Sequence, residues 1–204
     1  MQNIKNVIFD LGGVILNLDF KKTFSAFEAL SFKDFTPIFN KVYQYEFVSL
    51  YETGKISSEE FRKNLREVLE IDVEDQVLDA AWNAMLLDFP LKNIQFLQEI
   101  GKRKRIFVLS NTNDIHKTAA EKILEKEHPG ITWDKLFEKS YFSHIMQDRK
   151  PNISIFKQVL NENGLLASET LFIDDSIQHV EGAQKAGLHA LHLKDGMSIT
   201  ELGI

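Results

Sequence analysis

The sequence predicts an α/β fold: a doubly wound parallel sheet with an α-helical segment inserted after the first strand. Three observations predict it. Apolar runs at 6–10 (NVIFD), 105–111 (RIFVLSN) and 170–175 (TLFIDD) are rich in β-branched and aromatic residues without polar alternation, as strands buried on both faces require. Helical patterns separate the later runs, and alternating strand and helix implies a parallel sheet. The stretch 17–86 breaks this rhythm: it has many helix formers and no convincing buried strand.

The elements follow in order. The first run ends at Asp10, before Leu11, Gly12 and Gly13. Within 17–86, SSEEFRKNLREVLE (57–70) carries a helix start, with Ser57 or Ser58 able to cap and glutamates in the first turn. LKNIQFLQEIGK (91–102) has apolar residues near helical spacing and closes on Gly101; ISIFKQVLNENG (153–164) closes on Gly164, and IQHVEGAQKAG (177–187) on Gly187. HALHL (189–193) is a fourth strand and KSYFSHI (139–145) a weaker fifth. A core of 1–16 and 87–204 with a cap of 17–86 is the expected division. A helical insert after the first strand would cover the carboxyl ends of the sheet, where open α/β folds bind ligands.

The 204-residue chain is 44% hydrophobic and 26% charged, ordinary for a globular protein. Its net charge of -6 argues against nucleic acid as main partner. The one basic run, Lys102 to Arg105, precedes an apolar strand pattern and is read as a solvated turn. With no cysteine, disulfides, thiolate catalysis and zinc–thiolate sites are excluded. No basic leader with a long apolar run is visible, and no apolar run approaches the roughly 18 residues of a membrane helix. A soluble, cytoplasmic monomer or homodimer without membrane or nucleic-acid partners is expected.

The strand ends carry the chemistry. Asp10 closes the first run, Ser110 and Asn111 the second, Asp174 and Asp175 the third, and Lys150 stands before Pro151 at a plausible first helical position. In a parallel sheet these ends share one edge. Carboxylates from two strands suit a small hard cation such as Mg²⁺. Such a cation beside Asp10 would allow the carboxylate to attack a phosphate and form an aspartyl-phosphate. Ser110 and the N–H groups after it could receive phosphate oxygens, and Lys150 could stabilise developing charge. Gly12 and Gly13 allow a tight turn and leave the carbonyl of residue 12 free to face a metal.

The strings FDLGGV (9–14), VLSNTN (108–113), RKP (149–151) and FIDDSIQHVEGAQKAG (172–187) together resemble, in order, the four motifs of the haloacid dehalogenase-like (HAD) phosphohydrolases. The likeness spans essentially the whole chain. It implies the HAD-like Rossmannoid sheet with the inserted helical cap of subgroup I. YETGKISSEEF (51–61) and LSNTN are similar to strings of the bacterial α-D-glucose-1-phosphate phosphatase branch. The resemblance implies a Mg²⁺-dependent phosphoric monoester hydrolase of a small phosphorylated metabolite, a sugar phosphate foremost. Asp10 would be nucleophile and metal ligand, and Gly12 would offer its carbonyl to the metal. Ser110 and Asn111 would bind phosphate, and Lys150 would be the third-motif lysine. Asp175 would be the metal ligand, matched through Asp175-Ser176, with Asp174 in support.

The chain departs from the family at Gly12, where most HAD phosphatases carry the aspartate that acts as general acid and then base. Either another group substitutes (a water, a substrate hydroxyl or a cap side chain), or the protein is a weak or non-catalytic binder of phosphorylated ligands. A sugar 1-phosphate, with its better leaving group, would depend less on that acid. Acid-dehalogenase activity is disfavoured by the intact metal-site carboxylates, and phosphomutase activity by the missing aspartate.

Each residue also has a plain structural role open to it. Asp10 could close a turn, Ser110 and Asn111 could cap a helix, and Asp174 and Asp175 could cap the next. His116 is expected on a helix surface, His179 beside the site or facing solvent, His128 in a loop, and His144, His189 and His192 in structural places. Tyr43, Tyr45, Phe47 and Tyr51 are expected mainly in the cap core, with Trp82 and Met85 packing the end of the insert.

Overall fold

The structure, a computed structural model, describes residues 3–31, 45–194 and 196–204. Tyr43 lies outside them. Among the described residues five parallel strands form one sheet in the order β3-β2-β1-β4-β5: β1 Asn6–Phe9, β2 Arg105–Ser110, β3 Lys139–Phe142, β4 Thr170–Asp174 and β5 His189–His192. The central strands β1, β2 and β4 are the three unalternating apolar runs. All of β1 and β4 is buried, whereas the edge strands β3 and β5 are partly open. Edge position explains why the 139–145 pattern is weaker: one side of the strand meets water, and its continuation folds into the short helix Ser143–Met146.

Successive side chains of the sheet serve two cores. Val7, Phe9, Val108 and Ile173 pack with Ile94 and Leu97 of helix Leu91–Ile100 on one face. Ile8, Phe107, Leu109 and Phe172 pack with Ile155, Phe156 and Val159 of helix Ile153–Asn163 on the other. The register sets Phe9 opposite Val108 on one side and Ile173 on the other. The ends of β1, β2 and β4 therefore lie side by side, at the point where the chain order reverses.

Among the described residues the helices between β1 and Leu91–Ile100 are Phe20–Ser31, Glu46–Glu52, Ser58–Leu69 and Asp75–Asn83. They hold a third apolar cluster, with Phe27, Phe61, Leu65 and Trp82 at its centre and one member, Ile115, from outside. Phe61 lies between Tyr51 and Trp82, at 4.3 and 5.0 Å between ring centroids. Tyr51 is buried and Phe47 packs against the cluster, but Tyr45 is exposed and stacks on Phe47. The two chain passages into and out of this segment pair with each other, Asp19 N–H donating to Met85 O and Leu87 N–H to Asn17 O. Among the described residues no helix is long and apolar enough to cross a membrane.

Local signals account for most boundaries. Ser57, not Ser58, caps the third of these helices, accepting from Glu60 N–H at 3.1 Å. Gly164 ends its helix in the left-handed conformation. Pro151 is a correction: Asn152 is the cap and Ile153 the first helical residue, so Pro151 stands before the helix. Asp148 holds Asn152 Nδ2 and Ser154 Oγ, which organises the loop ahead of the helix and delays its start.

Phe61→Ala is expected to remove about 3–5 kcal/mol of stability by emptying the centre of the insert's cluster. Urea unfolding followed by the emission of Trp82, 5.0 Å from Phe61, checks it.

Candidate active site

The ends of β1, β2 and β4 meet in one cleft of about 210 Å³, lined among others by Asp10, Gly12, Ser110, Asn111 and Asp175. Asp10 follows β1 and is held to the sheet by its N–H, which donates to Ile173 O at 2.8 Å. Beneath it lies Lys150, fully buried, with Nζ 2.7 Å from Asp10 Oδ1 and 2.7 Å from Asp174 Oδ2. Asn111 positions this lysine. Its Oδ1 accepts Lys150 N–H and its Nδ2 donates to Lys150 O, both at 2.9 Å. The side chain of Asn111 is thus committed to the main chain of Lys150.

Asp174, the last residue of β4, is completely buried. Its Oδ1 accepts the Ser176 N–H at 2.8 Å and its carboxylate meets His179 Nδ1 at 3.0 Å. His179 lines the cleft through this contact, beside the site as expected. Asp175 is differently placed. It also lines the cleft, and no other residue donates a hydrogen bond to its carboxylate among the described residues. Room for it comes from Gly13, where a Cβ would sit 2.1 Å from Asp175 Oδ2 and where φ is +75°. Gly12 has no such backbone demand; a Cβ there would meet only the tip of Leu18, at 2.8 Å. The tight turn is the work of Gly13 alone, which corrects the joint role expected of both glycines.

The electrostatics follow from burial. Burial pushes Asp10 up to about 7, against the pull of Lys150 and with the push of Asp174. Burial also pushes Asp174 up, but Lys150 and His179 outweigh it and hold the group at about 2. Burial lowers the proton affinity of Lys150, yet Asp10 and Asp174 more than restore it, so it stays an ammonium. Asp175 is raised by burial and then by Asp174. Three carboxylates thus face one ammonium, a donor set of hard oxygens with negative charge in excess. That composition fits a small divalent cation. Atoms of Asp10, Asp174 and His179 also approach within 4.8 Å of one another.

Some residues differ from expectation. His116 is not a surface residue: it stacks on Trp82 at 5.1 Å, its ring Nε2 lies 3.1 Å from Trp82 O, and it lines the cleft. Asn113, not Ser110 or Asn111, caps helix Asp114–Glu127. Ser143 Oγ clamps the intervening loop by accepting from Thr112 N–H and donating to Thr112 O, each at 2.9 Å. Met85 is buried as expected but also lines the cleft. Glu52, at the end of helix Glu46–Glu52, is a cleft residue that sequence reasoning missed. Its only signal is a carboxylate among aromatic residues just before Gly54.

A parallel sheet with this site at its switch point places the cleft where open α/β folds bind their ligands. The model of the haloacid dehalogenase-like hydrolases matches residues 4–187, and the chain belongs to that family. A D-ribitol-5-phosphate phosphatase of Bacteroides thetaiotaomicron is 28% identical over 194 residues, covering 95% of this chain and 93% of the relative. A sesquiterpene phosphatase of Aspergillus oryzae is 26% identical, covering 95% and 92%. A HAD family enzyme of B. thetaiotaomicron superposes with a TM-score of 0.90 at 34% identity over 98% of each chain. The same enzyme has been crystallised with magnesium and inorganic phosphate; that structure has a TM-score of 0.87 at 34% identity, covering 98% of this chain and 100% of the other.

Burial lowers His116 to about 4, against the pull of Trp82 O. The unfolded chain takes up this proton near pH 6.5, the folded chain only near 4, so acid favours unfolding between them. The contribution is complete above 6.5 and is lost as pH falls through about 4. Wild type is expected to lose on the order of 2 kcal/mol more than His116→Gln between pH 7.5 and 4, measured by urea unfolding at each pH.

Proposed function

We propose that the protein is a Mg²⁺-dependent phosphatase of a small sugar or polyol phosphate, acting through an aspartyl-phosphate on Asp10, with 17–86 as a cap over the site. The observation that carries this reading is the buried ammonium of Lys150 held between Asp10 and Asp174 on the floor of a small cleft. A carboxylate fixed by a buried cation at a strand end is aimed rather than mobile, which suits a nucleophile.

In the first step a carboxylate oxygen of Asp10 bonds to phosphorus as the ester P–O bond breaks, and the departing alkoxide oxygen takes up a proton to leave as the alcohol. In the second, water attacks the phosphoryl group and the bond to Asp10 breaks. Ser110 Oγ and the main-chain N–H groups that follow bind the phosphate oxygens. Asn111 contributes that main-chain N–H, while its side chain orients Lys150. Lys150 holds Asp10 in line and balances charge as the phosphoryl group transfers. Asp10, the Gly12 carbonyl and Asp175 would hold the metal, with Asp174 in support. The choice of Asp175 rests on its open carboxylate, since Asp174 is already occupied by Lys150, His179 and Ser176. Bound Mg²⁺ supplies positive charge that lets two anions approach.

The phosphatase relatives and the magnesium–phosphate complex of the Bacteroides enzyme support the class of reaction. They bear on the substrate as well. Ribitol 5-phosphate is a primary ester, whereas the sequence likeness points to a sugar 1-phosphate. The small cleft suits either and an extended chain poorly. The competing reading, a phospholigand binder without turnover, is favoured by Gly12 alone.

Wild type is expected to hydrolyse p-nitrophenyl phosphate and members of a sugar- and polyol-phosphate panel with Mg²⁺. EDTA removes the activity and added Mg²⁺ restores it. Asp10→Asn is expected at background and Lys150→Met roughly 100- to 1,000-fold down. Calorimetric binding without turnover by wild type would establish the binder instead.

A further inference from the structure

A primary alkoxide leaves poorly without a proton, and Gly12 has no side chain to provide one. Three features of the cleft bear on what does. Glu52 is the one carboxylate that the described part of segment 17–86 contributes to the lining. It is mostly buried, with 14% of its side chain exposed, and its Oε2 lies 2.8 Å from Arg149 Nη1, the residue just before Lys150. Among the described residues this buried Oε2 accepts no hydrogen bond, so Arg149 meets it as an ion pair alone.

The second feature is how firmly Glu52 is placed. Tyr51, its neighbour, accepts the Ile115 N–H at 3.2 Å through its hydroxyl. Gly54 lies so close to the core that a Cβ there would sit 2.0 Å from His144 O, with φ at +65°. Contacts at 51, 52 and 54 thus fix this turn of the insert to the sheet domain. The third feature is that the neighbouring histidines are engaged. His116 is neutral, with Nε2 donating to Trp82 O and Nδ1 facing Asn113 Nδ2. His179 is tied to Asp174.

We propose that Glu52 gives the leaving oxygen its proton and takes one back from water in the next step, replacing the carboxylate absent at position 12. This rests on the phosphatase reading above. As the ester P–O bond breaks, the Oε–H of Glu52 passes to the departing oxygen, giving the free alcohol, the aspartyl-phosphate and a Glu52 carboxylate. As water attacks phosphorus, Glu52 accepts a water proton, so that inorganic phosphate, free Asp10 and protonated Glu52 are restored. In-line transfer sends the leaving group to the side of phosphorus opposite Asp10, and Glu52 lines the same cleft as Asp10. Burial raises the proton affinity of Glu52, while Arg149 and His179 limit the rise.

The test compares kcat/KM of wild type and Glu52→Gln on phenyl phosphate and p-nitrophenyl phosphate with Mg²⁺. Both esters deliver the same phosphoryl group, but the second has a leaving group that needs no acid. The expected result is a loss of roughly 100-fold on phenyl phosphate and under about threefold on p-nitrophenyl phosphate. An equal loss on both esters would assign Glu52 to docking the insert, and no loss on either would make it a bystander; each overturns the inference. So does a leaving-group-dependent loss in His179→Asn that is absent in Glu52→Gln. Wild type inactive on both esters removes the phosphatase reading together with Glu52. Wild-type turnover with an unselective variant removes Glu52 alone.

Discussion

The rest of the site depends on one buried ammonium. Lys150 sits in the interior with Nζ equidistant, at 2.7 Å, from Asp10 and Asp174, and 5.3 Å from the centre of the Phe172 ring. Removing such a charge from water is costly unless geometry and partners compensate, and taking away one partner leaves an uncompensated charge. The fold supplies both conditions. Adjacent strands β1 and β4 present the two carboxylates in register, and the side chain of Asn111, from beyond β2, grips the lysine's main chain on both sides. Three strands and one loop are thereby locked into a single arrangement.

Close backbone approach does the rest of the positioning. Gly13 leaves the space that the Asp175 carboxylate fills, so the first motif and the fourth fit each other like parts of one turn. Gly54 lets the insert touch the carbonyl of His144. His116 reaches across from helix Asp114–Glu127 to stack on Trp82, and Tyr51 reaches back to that helix's start. The insert is therefore docked through polar and ring contacts near the cleft, while its own apolar cluster stays largely separate from the two cores of the sheet. On the proposed reading this makes the insert a source of substrate contacts as well as a cover.

Gly12 has a different meaning in three dimensions. Its backbone does not require glycine, and the nearest obstacle to a side chain is a flexible leucine tip. The missing carboxylate is thus not forced by the fold. On the proposed reading the gap matters most for a primary ester, since a primary alkoxide depends on a proton more than a hemiacetal oxygen does. A substitute group is then a chemical requirement of the proposed reaction.

Local physics made the sheet legible. Doubly buried strands have to be apolar on both faces, so β1, β2 and β4 stand out as unbroken runs, and each run's polar ending marks the functional edge. The grouping of Asp10, Ser110, Lys150 and Asp174–Asp175 was likewise legible, because parallel strands bring their ends together whatever lies between. Other features are decided by contacts between residues far apart in the chain, which no local pattern encodes. The weaker edge strand, the true start of the helix after Pro151 and the division of work between Gly12 and Gly13 are of this kind. So is the pairing of Asn111 with Lys150, and so is the stacking of His116 on Trp82. Glu52 is the clearest case: in sequence it is one glutamate near the end of a short helix, and only packing of the insert against the sheet turns it toward the cleft.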